Sequence, residues 1–359
     1  MKKLLTFAFL ALALTVNAQE KNTTTTDVPE WVKNFKFSGY AMLQYQAEDK
    51  EGGEHNEFNL RLARFILDGK IGDFDWRAQI QGTNVKGPGE PTVQLVDLYT
   101  EWAKHKEFRI KVGQFKRAFT FENPTNPITQ GWYAYAMAIN KLSGFGDRTG
   151  EKSSGGRDIG IQLQGDVLKN AAGRALLHYQ VGVYNGEGIN QKDKDQRKDV
   201  IGGAWVMPVK GVRLGAFGWT GSRAGVGDKN RYALSAEYDK DEYTFRTEYI
   251  HSQGMGDNKL LGDKADGWYV FGIVPVIKSK LHAKARYQTY RQDKEWNGHY
   301  TDDGAFIGGS KTMYEVGANY YFSKKLQLNV EYGRVNDRSI ANKDKQNYNF
   351  FDAELDFRF

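Results

Sequence analysis

The chain of 359 residues contains no cysteine and only seven prolines. Without cysteine, a disulfide-stapled secreted module and a cysteine-based metal site are both excluded. Beyond residue 16, no apolar run reaches the roughly 20 residues that a membrane-spanning helix needs. The six histidines are dispersed, and none belongs to a recognised nucleophile or metal-binding motif. These absences argue against an enzyme and against a metal or other cofactor.

The first residues have the pattern of an exported protein. A short basic segment is followed by an apolar stretch, Leu4–Val16, and by a small-x-small cleavage site that ends at Ala18. The stretch is too short to favour the alternative, a membrane anchor. Removal of Lys2 and Lys3 would lower the formal net charge from +6 to +4, which weakly favours anionic partners. We expect a signal peptide at 1–18, a polar lead-in at 19–36 and one folded domain at 37–359.

Alternation with a period of two dominates the rest of the chain. In the last segment Phe351, Leu355 and Phe357 fall on one face, whereas Asp352, Glu354, Asp356 and Arg358 fall on the other. A face that carries four charges cannot lie in lipid, so it is expected to line the lumen of a membrane barrel.

One strand has a less regular pattern. Its apolar set is Phe58, Leu60, Leu62, Phe65 and Leu67, so the phase slips near residues 63–64. The slip indicates either a β-bulge or a misplaced strand boundary.

Sixteen candidate strands run from Phe37 to Phe359, and the gaps between them alternate short and long. An even strand number with short turns at one end and long loops at the other is typical of bacterial outer-membrane barrels. Sixteen strands enclose an aqueous channel. The sequence therefore predicts an all-β fold, a sixteen-stranded antiparallel transmembrane β-barrel in the outer membrane of a Gram-negative bacterium.

The gap at about 116–155 is much longer than ordinary loops, and its middle, Trp132–Leu142, is apolar. An apolar stretch of this kind is unfavourable in water. We expect it to fold into the lumen as a constriction loop.

Several short motifs in this order resemble the phosphate-selective porin O and P family, in a form like that of Bacteroidetes. They cover most of Phe37–Phe359 and comprise Arg61–Phe65, Asp68–Phe74, Val96–Tyr99, Val112–Lys116 and Gly156–Gly160. The resemblance implies a homotrimer and a channel that prefers small anions such as phosphate. Leu62 stands where the family often has a second arginine. The terminal Phe359 resembles the signal read by the barrel assembly machinery, so that machinery and outer-membrane lipid are expected partners, and nucleic acid is not.

An anion channel needs arginine and lysine side chains along its path, and guanidinium groups suit phosphate because they offer a planar fork of donors. The predicted anion-guiding residues are Arg61, Arg64, Arg77, Arg109, Lys111, Lys116, Arg117, Lys141, Arg148, Lys152, Arg157, Arg246, Lys284 and Arg286.

Three alternatives remain at this point: a non-selective general porin, an adhesin and a carbohydrate-binding protein. Each of these bases could instead form an internal pair with one of the lumen carboxylates, which would make the protein a non-selective general porin. The chain could also be a secreted or surface β-rich adhesin or carbohydrate-binding protein, which shares the export signal and the aromatic residues but needs no terminal phenylalanine.

Overall fold

The computed structural model describes residues 35–83, 92–146, 155–223, 225, 227–254, 263–294, 309–338 and 346–359. The expected signal peptide and nearly all of the lead-in lie outside these ranges. The described residues form sixteen strands: β1 Phe35–Glu48, β2 His55–Ile71, β3 Phe74–Gly82, β4 Val93–His105, β5 Phe108–Lys116, β6 Arg157–Lys169, β7 Ala175–Tyr184, β8 Asp199–Val206, β9 Val212–Arg223, β10 Gly227–Lys240, β11 Tyr243–Gly254, β12 Lys264–Ile277, β13 Leu281–Asp293, β14 Gly309–Ser323, β15 Leu326–Asp337 and β16 Gln346–Arg358.

Each strand pairs with its neighbours in sequence, and β1 pairs antiparallel with β16 to close the barrel. The closure register sets Tyr40 opposite Arg358, and the backbones of Gly39 and Phe359 exchange two hydrogen bonds at the seam. Closure leaves no strand edge unpaired, which is what a sheet in lipid requires. The predicted sixteen-stranded antiparallel barrel is confirmed.

The side chains of the last strand follow the predicted alternation. Asp352, Glu354 and Asp356 are at most 1% exposed, whereas Phe351 and Phe357 are each 37% exposed on the outer face. The charged face therefore points inward and the aromatic face outward, because only the outer face meets lipid.

Strand β2 is continuous, so the phase slip predicted near residues 63–64 is not a misplaced boundary. Leu60 and Phe65 are exposed on the outer face, whereas Leu62 and Arg64 are buried. The side-chain phase therefore shifts by one residue within the strand, as a bulge would cause. Leu62, which belongs to the apolar set of this strand, does not share the outward face of Leu60, because it packs in an inner cluster that includes Ile128.

Residues 117–156, between β5 and β6, form the longest connection, called L3 below. L3 contains two short helices among its described residues, α1 (Pro127–Gln130) and α2 (Met137–Leu142). Neither is long or apolar enough to cross a membrane, and the same holds for every helix of the described residues. Trp132, Ile139 and Leu142 of L3 belong to the main apolar cluster, together with inward side chains of β8–β13. L3 therefore lies inside the barrel, as its apolar composition predicted.

Candidate channel and its charged walls

L3 is held against the barrel wall by carboxylates that accept hydrogen bonds from its backbone. The Glu248 carboxylate accepts from the backbone N–H groups of Phe121 and Glu122, both at 2.8 Å. The same carboxylate accepts from the Tyr269 hydroxyl at 2.6 Å and from the Ser235 hydroxyl. A single buried carboxylate thus satisfies four donors and fixes the first turn of L3, since a buried anion is tolerated only when it is well paired.

A second attachment lies on the opposite part of L3. Glu331 Oε1 accepts from the Tyr133 backbone N–H at 2.8 Å and forms an ion pair with Lys284 at 2.5 Å. Lys284 also donates to the Gly131 carbonyl at 2.7 Å, and Arg286 donates to the Ala134 carbonyl at 2.9 Å. These two predicted anion-guiding bases therefore hold the loop.

Trp132 reinforces this attachment. Its side chain is fully buried, with the Lys284 ammonium 4.8 Å and the Arg286 guanidinium 4.4 Å from the indole centre. Arg286 is also paired with Glu315 at 2.6 Å. Because both cations are buried and engaged, the geometry favours the internal-pairing alternative for Lys284 and Arg286.

The inner face of β14–β16 is an acidic wall, formed by Glu315, Glu331, Asp352, Glu354 and Asp356. Arg61 forms an ion pair with this wall, with its guanidinium 2.7 Å from the Glu354 carboxylate. L3 lies against this wall, since Gln327 and Arg358 both donate to the Ile128 carbonyl of the loop. The loop therefore covers carboxylates that would otherwise repel anions in the lumen.

The other wall carries a group of bases at the root of L3, called the root cluster and consisting of Arg64, Lys116, Arg117 and Arg157. Arg157 pairs with Asp97 at 2.6 Å and Arg117 pairs with Asp158 at 3.0 Å, and all four of these side chains are buried.

Arg64 and Lys116 differ from their neighbours in the root cluster. Arg64 donates to the Tyr40 hydroxyl at 2.7 Å and to the Gln81 amide oxygen at 2.8 Å. Lys116 donates to the Asn123 carbonyl at 2.7 Å, and its ammonium lies 4.9 Å from the ring centre of Tyr135. No carboxylate within the described ranges forms an ion pair with either base. Among the described residues, the root cluster therefore has four bases and two paired carboxylates.

A second group of bases, called the turn-side cluster, lies closer to the short turns. It pairs Arg77 with Asp68 at 2.7 Å, Arg109 with Asp166 at 3.0 Å and Lys111 with Glu101 at 3.5 Å. Arg213 and Arg246 share one carboxylate, that of Glu237, at 2.6 Å and 2.5 Å. Five bases of the described residues therefore form ion pairs with four carboxylates, and Arg246 also lies near the carboxylates of Glu248 and Glu122.

Arg213 was not predicted from the sequence. It alternates with the outward Leu214 in β9, but the inward Phe217 that follows weakens the polar signal of that face. The only sequence signal for Arg213 is its position in the inward phase of β9.

Of the remaining predicted bases, Lys141 lies exposed at the end of α2 and lines a cavity of about 330 Å³ with Arg286 and Lys311. Arg148 and Lys152 lie outside the described residues. Within those residues, no group of three histidine or acidic side chains is placed to hold a metal ion.

A closed barrel of this strand number, with an inward loop and charged inner walls, has the construction of a diffusion channel. The family model described as phosphate-selective porin O and P matches residues 38–200 and 220–359. The chain belongs to this family. It is therefore an outer-membrane porin of a Gram-negative bacterium, and membership decides against the adhesin alternative.

Solved structures share the fold of this porin. OmpF of Salmonella typhi, in complex with daunomycin, superposes with a TM-score of 0.65 at 14% identity, over 91% of this chain and 98% of that chain. The anion-selective porin of Comamonas acidovorans gives 0.64 at 11% identity, over 90% and 99%. In-vitro folded OmpT of Vibrio cholerae, in its trimer form, gives 0.56 at 14% identity, over 91% and 100%. A search of curated protein sequences found no significant match.

Proposed function

We propose that this porin is an anion-preferring channel whose path runs along the root cluster and the turn-side cluster. The observation that carries the proposal is the asymmetry of the two walls. L3 covers the acidic wall, whereas the described residues of the opposite wall include more bases than paired carboxylates. An excess of fixed positive charge beside the open lumen attracts anions and repels cations.

Within this path we assign the strongest guiding role to Lys116, whose side chain is half-buried. Lys116 lies at the root of L3 and forms no ion pair within the described residues, whereas Arg64 is buried and donates to Tyr40 and Gln81. The other members of the two clusters are paired, so they orient the wall and contribute less net field. Lys141 remains a proposed external contact for arriving anions because its side chain is exposed.

We further propose that phosphate is among the transported anions. The family description names phosphate, and the guanidinium groups of the turn-side cluster are partly accessible and offer donors at several points along the path. Several weak sites in series suit conduction better than one tight site. Passive diffusion of this kind needs no cofactor and no catalytic group.

The deciding experiment is the reversal potential of the refolded porin in a planar bilayer under a KCl gradient, followed by titration with phosphate. We expect anion selectivity and block of the chloride current by phosphate. Anion selectivity without block of the chloride current by phosphate would refute phosphate as a transported anion but would still support an anion channel. Absence of any ion preference would mean that the bases are neutralised and that this is a general porin.

Lys116→Gln tests the residue assignment. It removes a base that forms no direct ion pair within the described residues, so we expect the reversal potential to move toward zero. Lys169→Gln is the matched control, because Lys169 lies at the barrel rim with half of its side chain exposed. Equal reversal potentials for Lys116→Gln and the parent would exclude Lys116 from the path.

We also propose that the porin assembles as a homotrimer within outer-membrane lipid and that the assembly machinery reads Phe359. The trimer form of the Vibrio cholerae protein supports the first point. The exposed Phe357 and Phe359 on the outer face of the last strand support the second. Native mass spectrometry in detergent would refute the trimer if it found only monomers.

A further inference from the structure

A cavity of about 370 Å³ runs from the root of L3 toward the short turns, along β3–β9. Its lining combines two kinds of side chain. The bases include Arg77, Arg109, Lys111 and Arg213, and the aromatic residues are Tyr99, Phe115, Phe121 and Trp205. A volume of this size lies in the range of organic ligand sites, roughly 300–1,000 Å³. An inorganic anion would occupy only a small part of it.

The aromatic side of the cavity is built as a rigid platform. The Trp205 indole stacks on the His178 imidazole with centres 4.0 Å apart and planes 16° apart. The edge of Phe121 meets Trp205 at 5.5 Å and 88°. Asp166 contacts His178 Nδ1 at 2.8 Å and holds this stack in place. Trp205 and Tyr99 are half-buried, so part of each ring remains available to a ligand in the cavity.

The charged side of the cavity favours an anionic ligand. Among the described residues that line it, seven side chains are bases and one, Asp97, is a carboxylate, so the cavity attracts anions. The guanidinium groups remain reachable, since the side chains of Arg77 and Arg213 are 29% and 28% exposed. Each can add one hydrogen bond to a ligand carboxylate without leaving its own partner.

We propose that this cavity is a binding site for aromatic carboxylates, with the carboxylate at the turn-side guanidinium groups and the ring against Trp205 and Tyr99. The proposal rests on the proposed function, because the ligand must enter an anion-accepting lumen. Rings prefer offset or edge contacts with other rings, which the exposed parts of Trp205 and Tyr99 provide. A ligand with the same charge but no ring would gain only the electrostatic part.

The test compares block of the chloride current by benzoate and by acetate in the same bilayers. Both probes carry one negative charge, so their ratio isolates the contribution of the ring. We expect benzoate to block at a lower concentration than acetate. Trp205→Leu should reduce the benzoate-to-acetate ratio by roughly two- to ten-fold, the range expected for loss of one aromatic contact.

Trp268→Leu is the matched control, since Trp268 is 37% exposed on the outer face of β12 and should leave the ratio unchanged. Folding of each variant is checked by heat-modifiable gel mobility, and Tyr99→Leu replaces Trp205→Leu if the latter does not fold.

The outcomes separate this inference from the proposed function. Equal block by benzoate and acetate, in channels whose reversal potential shows anion preference, would overturn the aromatic site alone. A ratio that Trp205→Leu and Tyr99→Leu both leave intact would also overturn it. Channels without anion preference would instead refute the proposed function.

Discussion

Arg117 is the base whose predicted role changes most once its surroundings are known. The sequence placed it at the root of L3 as an anion-guiding group. Its guanidinium instead lies 3.0 Å from Asp158 in an ion pair with both side chains fully buried, and 5.0 Å from the Trp219 ring centre. We therefore expect Arg117→Ala to act first on the stability of the barrel and only indirectly on selectivity.

The magnitude follows from the carboxylate that the substitution would leave behind. Asp158 would keep the backbone N–H groups of Ile159, at 2.8 Å, and Gly186, at 2.9 Å, but would lose its cation. Breaking one side of a buried ion pair costs about 3–5 kcal/mol, because the remaining charge is buried without a counter-charge. The exposed pair Lys169–Glu107 is the matched comparison, and its loss should cost much less, because solvent screens an exposed pair.

The assay is urea unfolding of the porin in detergent or lipid. Unfolding is monitored by tryptophan fluorescence and by gel mobility. The double variant Arg117→Ala with Asp158→Asn should recover part of the lost stability, because it removes the uncompensated charge. If Arg117→Ala were as stable as Lys169→Gln, the buried pair would not stabilise the root of L3. If Arg117→Ala were stable but had lost its anion preference, the original guiding role would be restored.

Three further predictions concern the turn side, the loop and the terminus. Hydrogen bonds from Ser279 lower the pKa of Glu242 to about 2, so its stabilising contribution is complete above its ordinary value near 4.5 and is lost as the pH falls toward 2. Glu242→Gln should therefore unfold at lower urea than the parent at pH 7, with the difference vanishing near pH 2; a pH-independent difference would contradict this. Glu248→Gln removes an acceptor for the Phe121 backbone and should give larger, noisier single-channel currents, whereas unchanged currents would mean that other contacts hold L3. Phe359→Ala should lower the amount of folded porin in cells but not the conductance of refolded channels, and normal assembly would refute its role as a signal.

Much of the fold was readable from local patterns. Side chains of a strand alternate between two faces whatever their partners are, so a period of two predicts strands and identifies the face that meets lipid. The last strand shows this directly, with Asp352 and Glu354 inward and Phe351 and Phe357 outward. L3 was recognisable because an apolar segment within a long loop must be buried somewhere. The family, and with it the porin function, was identified from short motifs.

The role of each base could be decided only by the tertiary structure, because it depends on neighbours that are remote in sequence. Arg61 meets a carboxylate 293 residues away, which becomes a neighbour only when β1 and β16 close the barrel. Lys116 and Arg117 are adjacent in the chain, yet one faces aromatic rings and the other a buried carboxylate. Leu62 turned inward because the phase of β2 shifts beneath Ile128 of L3. Charge in a lumen is a sum over contacts that barrel closure and loop insertion create, and a linear pattern contains no record of those contacts.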